Sequence, residues 1–128
     1  MASVIMLDTH VVVWLHTNAL SEFSARAVRE IELNDLAVSP MVELELGYLY
    51  EIGRTAGPAA DVLGSLASRL GLTVAQIGFG PVCAAALEVT WTRDPFDRLL
   101  AAHALTAGLP LLTKDAHMLE HLPLAFWD

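Results

Sequence analysis

Residues 93–104 read Arg-Asp-Pro-Phe-Asp-Arg-Leu-Leu-Ala-Ala-His-Ala, and this stretch predicts the start of a buried helix. Asp94 suits the N-cap position, because its carboxylate can accept a hydrogen bond from a free first-turn amide. Pro95 suits the first helical position, where its missing N–H costs nothing and its φ is already helical. Asp97 then falls in the first turn, where the positive end of the helix dipole favours a carboxylate. Since the residues that follow are mostly apolar, we expect a buried helix with two carboxylates at its N-terminus.

The rest of the chain alternates between short apolar stretches and helical patterns. The predicted strands cover residues 3–7, 36–38, 72–74, 109–113 and 124–127. The predicted helices cover residues 11–15, 21–33, 40–52, 59–69, 82–89 and 95–107, with a short helical turn near 118–119. This alternation predicts an α/β fold, a three-layer α/β/α sandwich around a mainly parallel sheet of four to five short strands. No repeat, linker or low-complexity tract divides the sequence, so we expect a single domain over residues 1–128.

The composition argues against several classes of protein. Hydrophobic residues make up 55% of the chain, yet we expect no membrane span, because no apolar stretch is long enough to cross a bilayer. The single Cys83 permits no intrachain disulfide, which fits a reducing, cytoplasmic setting. The net charge of −8 argues against a broad phosphate-binding surface and favours a basic protein partner. The apolar excess favours a homo-oligomer or a tight protein partner.

Four carboxylates from distant parts of the chain are expected at one edge of this sheet. Asp8 directly follows the first predicted strand, and Asp115 follows the fourth. Asp97 lies at the start of a helix. A helix that follows a strand or returns across the sheet has its N-terminus near this same edge, so Asp97 is expected there too. Glu45 lies about one and a half turns into the helix after the second strand, on its inward side, whereas Glu43 faces solvent. Ligands of parallel sheets bind beyond the carboxyl ends of the strands, so this edge is the expected functional site.

Clustered carboxylates repel one another and raise each other's pKa values, so a stable cluster needs cations. Carboxylate oxygens suit hard divalent ions such as Mg²⁺ or Mn²⁺, and such a site can activate water for in-line displacement at a phosphodiester.

Each of these residues also has a simpler interpretation. Asp8 and Asp115 can serve as cap or turn residues, Glu45 can lie on a solvated helix face, and Lys114 is either a surface lysine or a contact for a phosphate.

On four blocks of sequence, the chain resembles the PIN-domain ribonucleases of the VapC toxin group, from bacterial and archaeal toxin–antitoxin modules. The blocks are Leu7-Asp8-Thr9-His10, Ser39-Pro40 followed by Glu45, residues 93–102, and Leu112-Thr113-Lys114-Asp115. The third block is the most specific, and the resemblance runs from one end of the chain to the other. It implies a PIN-like fold.

The resemblance also implies an endoribonuclease that depends on Mg²⁺ or Mn²⁺. The catalytic acids that match by position are Asp8, Glu45, Asp97 and Asp115, and the implied metal ligands are Asp8, Asp97 and Asp115. Asp94 matches an extra acid of this subgroup. Ser39 and Thr113 match small polar residues that line the site.

The implied partners are an RNA substrate, often tRNA in similar toxins, a cognate antitoxin and a second copy of the chain in a homodimer. Such antitoxins wrap the toxin with a C-terminal tail and commonly insert a basic residue into the acidic site. Few basic residues lie near the four blocks, and they are Arg93, Arg98 and Lys114.

Two other functions stay open at this point. A non-catalytic PIN-fold module that binds protein or RNA would lack one of the acids, whereas all four positions are filled. A receiver-type phosphoacceptor domain would carry adjacent acids after its first strand, whereas Thr9 follows Asp8.

Overall fold

A five-stranded parallel sheet forms the centre of the molecule in the computed structural model, which describes residues 3–128. The strands are β1 (Val4–Leu7), β2 (Asp35–Val38), β3 (Thr73–Val74), β4 (Leu111–Leu112) and β5 (Ala125–Phe126). They lie in the order β3-β2-β1-β4-β5, and every neighbouring pair is parallel. The central position of β1 places its carboxyl end, and therefore Asp8, between those of β2 and β4.

Within the described residues, seven α-helices flank the sheet, and the predicted α/β fold with a parallel sheet is confirmed. They are α1 (Thr9–His16), α2 (Ala25–Leu33), α3 (Pro40–Glu51), α4 (Ala59–Leu70), α5 (Phe79–Ala86), α6 (Pro95–Ala107) and α7 (Ala116–His121). A 3₁₀ turn covers Leu20–Glu22. In the part of the chain that the structure describes, none of these helices has the length and apolar character needed to cross a bilayer.

The core explains why the strands lack an alternating pattern. Ile5, Met6 and Leu7 of β1 are all buried, as are Leu111 and Leu112 of β4. Both faces of a parallel sheet are covered by helices, so consecutive side chains on either face must be apolar.

The two helices that carry site residues begin where the sequence predicts. Ser39 Oγ accepts a hydrogen bond from Met41 N at 3.2 Å, and α3 starts at the following proline. Asp94 Oδ1 accepts from Asp97 N at 3.0 Å, and Pro95 is the first residue of α6. Both helices therefore start with a polar cap followed by proline, as local capping rules require.

The predicted start of α2 is wrong. Ser21 and Glu22 belong to the 3₁₀ turn, and α2 begins after Ser24, whose Oγ accepts from Ala27 N at 3.0 Å. The Ser24 hydroxyl also donates to the carbonyl oxygen of Trp127 at 2.7 Å. This long-range contact favours Ser24 as the cap, and sequence spacing alone gives no sign of it.

The predicted start of α5 is also wrong. The helix covers Phe79–Ala86, whereas the sequence predicts a loop before residue 82. Pro81 lies in the first turn, where the amide N–H has no partner within the helix, so proline costs no hydrogen bond there.

Candidate active site

Asp8 is held between the ends of two neighbouring strands. Its Oδ1 accepts from Thr9 N at 2.7 Å and caps α1, and its Oδ2 accepts from Thr113 Oγ1 at 2.6 Å. The side chain is buried, with 7% of the residue exposed. Burial raises the pKa of Asp8, although the hydrogen bonds from Thr113 and Thr9 oppose that rise. The carboxyl group is therefore fixed in position, and its ionised form is disfavoured when no cation is bound.

Thr113 links Asp8 to the next acid along the sheet edge. Its Oγ1 accepts from Asp115 N at 3.1 Å while it donates to Asp8. Asp115 Oδ1 in turn accepts from Met118 N at 2.9 Å and caps α7. The predicted supporting residue Thr113 thus fixes the positions of two candidate ligands at once.

Glu45 faces the same edge from α3. Its Oε1 accepts from Thr9 Oγ1 at 2.6 Å, and the side chain is half-buried, whereas Glu43 is exposed as predicted. Burial raises the pKa of Glu45, the hydrogen bond from Thr9 lowers it, and the negative charge of Asp8 raises it further. Sequence reasoning missed the role of Thr9. The one sequence feature that could have indicated this role is the position of the Thr9 hydroxyl directly after Asp8, in the first turn of a helix.

Asp97 provides the clearest evidence that the acids converge. Its pKa is raised to about 7, first by burial and then by the negative charges of its neighbours Asp94, Asp8, Asp115 and Glu45. Charges act over short distances in water, so this electrostatic coupling requires the carboxylates to lie near one another. Hydrogen bonds made by Thr9 and Thr113 link Asp8 to Glu45 and to Asp115, and the charges of these three acids act on Asp97.

The other predicted supporting residues have different positions. Asp94 is exposed and caps α6, so it fixes the first turn that carries Asp97. Ser39 is buried and caps α3, and it lines a pocket of about 180 Å³ beside His103 that shares no lining residue with the cleft at Asp8. Burial lowers the pKa of His103, so this histidine is a neutral side chain at neutral pH.

A cleft of about 360 Å³ opens beside the carboxylates. Its lining residues are Asp8, His10, Trp14, Glu22, Lys114 and Asp115. A larger cleft of about 410 Å³ lies beside Ser3 and Pro110, at the opposite edge of the sheet. The smaller cleft is the functional candidate, because it contains two of the clustered acids.

The donor chemistry of this cluster fits a hard divalent cation. All four acids offer oxygen ligands, and for Asp8, Glu45 and Asp97 burial together with the charges of neighbouring acids disfavours the ionised form unless positive charge is supplied. Within residues 3–128, no three His, Cys, Asp or Glu side chains are arranged so that they could hold a metal ion together. Direct coordination of one cation by three of these carboxylates would therefore require them to move closer to one another, whereas one or two carboxylates with water as the remaining ligands would suit Mg²⁺.

We expect Thr113→Val to destabilise the protein. The change leaves Asp8 Oδ2 buried without its donor and Asp115 N without its acceptor, which costs about 2 kcal/mol in the free energy of unfolding. Urea unfolding followed by circular dichroism measures it. Thr113→Ser is the matched control and should stay close to the wild type, because serine keeps the hydroxyl. Equal stability of the valine and serine variants would contradict this role of Thr113.

Comparisons with known proteins match nearly the whole chain. The family model of the PIN domain matches residues 5–122. The chain is 32% identical over 133 residues to the ribonuclease VapC22 of Mycobacterium tuberculosis, an alignment that covers 96% of this chain and 98% of that protein.

Solved structures share the fold. The structure of VapBC2 from Rickettsia felis, bound to a DNA fragment from its promoter, matches with a TM-score of 0.70 at 19% identity, covering 98% of this chain and 99% of that chain. DNA-bound VapBC from Salmonella typhimurium matches with a TM-score of 0.65 at 20% identity, covering 98% and 96%. At these identities the likeness establishes the three-dimensional fold, and the predicted PIN-like architecture is confirmed.

Proposed function

Because the chain belongs to the PIN domain family, we propose that it is a VapC-type endoribonuclease toxin that depends on Mg²⁺ or Mn²⁺ and is inhibited by a cognate antitoxin. Residues 1–128 would form one domain that acts on RNA in the cytoplasm. The observation that carries this proposal is the placement of acids from several elements at one edge of the sheet, where burial and then the charges of the neighbouring acids raise the pKa of Asp97 to about 7. The 32% identity to a ribonuclease over nearly the whole chain supports the same reaction class.

We assign Asp8, Asp97 and Asp115 to hold the cation and Glu45 to orient the attacking water. A divalent cation, when bound, activates water and neutralises the charge that develops on the phosphate. The protein contributes fixed positions for the carboxylates. Thr9 holds Glu45 through its hydroxyl and Asp8 through its amide.

The proposed protein partners are an antitoxin and a second copy of this chain. The net charge of −8 supports a basic partner, because a basic segment would neutralise the acidic edge. Several large apolar side chains are open to solvent, among them Leu20 at 66%, Phe79 at 67% and Leu87 at 74% exposure. Exposed apolar surface of this kind supports burial against another chain.

The proposal predicts RNA cleavage that requires a divalent cation. Protein purified free of any partner should cleave a mixed small-RNA pool in Mn²⁺ or Mg²⁺, and excess EDTA should stop cleavage, because the acids lose the cation that offsets their charge. Gel electrophoresis of the RNA measures this. Circular dichroism should show the same fold in EDTA, since the core is apolar. Cleavage that continues unchanged in EDTA would contradict the metal-dependent mechanism, and no cleavage in any metal by the folded protein would favour a non-catalytic PIN module.

A further inference from the structure

Lys114 is the only lysine in the sequence, and its backbone is tied to the active site. It lies between Thr113, whose hydroxyl bonds to Asp8, and Asp115, whose amide donates to that same hydroxyl. The base of the Lys114 side chain is therefore positioned by the same two hydrogen bonds that position the candidate metal ligands.

The Lys114 ammonium lies against an acid and two indole rings. Its Nζ is 3.4 Å from Glu22 Oε2 and also 3.4 Å from the Glu22 carbonyl oxygen. The same Nζ lies 5.7 Å from the ring centre of Trp14 and 5.9 Å from that of Trp127. These contacts hold the positive charge over the cleft that Asp8 and Asp115 line.

The contact between Lys114 and Glu22 is easily exchanged. The side chains are 46% and 42% exposed, and a solvent-exposed ion pair of this kind contributes little to stability. The two aromatic rings also attract the ammonium, through the negative charge on their faces. A phosphate oxygen could therefore replace the Glu22 carboxylate at little cost, while the two indole rings keep the ammonium in place.

The charges of the cleft indicate what Lys114 would bind. Three of the six lining residues are the acids Asp8, Glu22 and Asp115, and Lys114 is the one permanent cation among those six in the described part of the chain. A nucleic-acid backbone that enters this cleft meets three carboxylates. It needs a donor beside the cluster, and an ammonium binds phosphate as a point charge.

We propose that Lys114 binds a backbone phosphate of the RNA next to the bond that is cut, and that Glu22 holds Lys114 in the free protein and competes with that phosphate. This inference rests on the proposed ribonuclease function. It assigns Lys114 as a substrate-binding residue and Glu22 as a residue that weakens substrate binding.

Steady-state cleavage of a mixed small-RNA pool in Mn²⁺, at KCl concentrations from about 50 to about 200 mM, tests the inference. Lys114→Met should raise KM about tenfold with little change in kcat. The slope of log kcat/KM against log salt concentration should become less steep by about the amount that one phosphate contact contributes. Lys114→Arg should restore most of the affinity. Glu22→Gln should lower KM severalfold, because it removes the competing carboxylate.

Arg54→Met is the matched control, because it removes one positive charge at a distant place. Arg54 is exposed, follows the C-terminal end of α3 and is not among the residues that line the cleft at Lys114. We expect its KM and salt dependence to match those of the wild type. Melting temperatures of all variants report any purely structural loss.

Because Lys114 is the only lysine, a second readout is available that does not depend on turnover. The RNA pool, added in EDTA, should protect Lys114 from an amine-reactive acetylating reagent, as measured by peptide mass spectrometry, and the N-terminal amine provides an internal reference. Wild-type cleavage combined with unchanged KM in Lys114→Met and no protection would overturn this inference and leave the ribonuclease intact. A wild-type protein that neither cleaves nor is protected would overturn both.

Discussion

Asp8→Asn is expected to abolish RNA cleavage, lowering kcat/KM by roughly 10³-fold or more, because it removes a charged oxygen from the centre of the acidic cluster. Asp8 is the best-fixed of the four acids, since Thr9 and Thr113 hold one carboxylate oxygen each. Asparagine keeps the shape of the side chain and an oxygen that can accept from Thr9 N. The measurement is initial rates on the small-RNA pool with saturating Mn²⁺.

The stability of the Asp8→Asn variant separates loss of chemistry from loss of fold. Burial raises the pKa of Asp8, so in EDTA the protein gains little from this charge and the melting temperature should stay equal or rise. Asp35→Asn is the matched control. Asp35 is exposed at the amino end of β2, away from the cluster, and its variant should cleave at the wild-type rate. Wild-type cleavage by Asp8→Asn would remove Asp8 from the catalytic set.

The second large effect concerns Asp97 and the stability of the protein without metal. The pKa of Asp97 is about 7 in the folded protein, whereas the ordinary value of an aspartate is 3.8, so the folded protein binds the proton more tightly than the unfolded chain does. The resulting contribution to stability is fully present below about pH 4, is lost as the pH rises towards 7, and stays lost above it. In EDTA, Asp97→Asn should therefore raise the melting temperature little at about pH 4 and clearly at about pH 8.

The rise at about pH 8 should reach about 3–8 °C, which corresponds to about 1–2 kcal/mol after the pKa shift is discounted for solvent screening of a half-buried group. Differential scanning calorimetry across this pH range measures it. Adding Mn²⁺ should raise the melting temperature of the wild type under the same alkaline conditions, and should have a much smaller effect on Asp97→Asn, which lacks one proposed ligand.

Asp61→Asn is the control for this experiment, because Asp61 is also an acid in the first turn of a helix but is exposed on α4. Its melting temperature should show no comparable increase across the same pH range. If Asp97→Asn and the wild type melt together at every pH in EDTA, the ionised Asp97 does not destabilise the folded protein and this explanation is wrong.

Sequence alone determined the elements that depend on neighbouring residues. The start of α6 follows from Asp94 and Pro95, because a cap and a first-turn proline act within one helical turn. The inward position of Glu45 follows from helical periodicity. The alternation of short apolar strands with helices predicted the parallel sheet, and with it the edge at which the acids meet.

Only the tertiary structure decided which distant side chains touch. Thr9 meets Glu45 across 36 positions of sequence, and Thr113 meets Asp8 across 105. Lys114 meets Glu22 across 92 positions. Such pairs depend on the strand order β3-β2-β1-β4-β5 and on how the helices pack over it. Local pattern is set by backbone geometry within a few residues, whereas these contacts are set by the packing of the whole chain, so the sequence predicted where the acids gather but not which hydroxyls hold them.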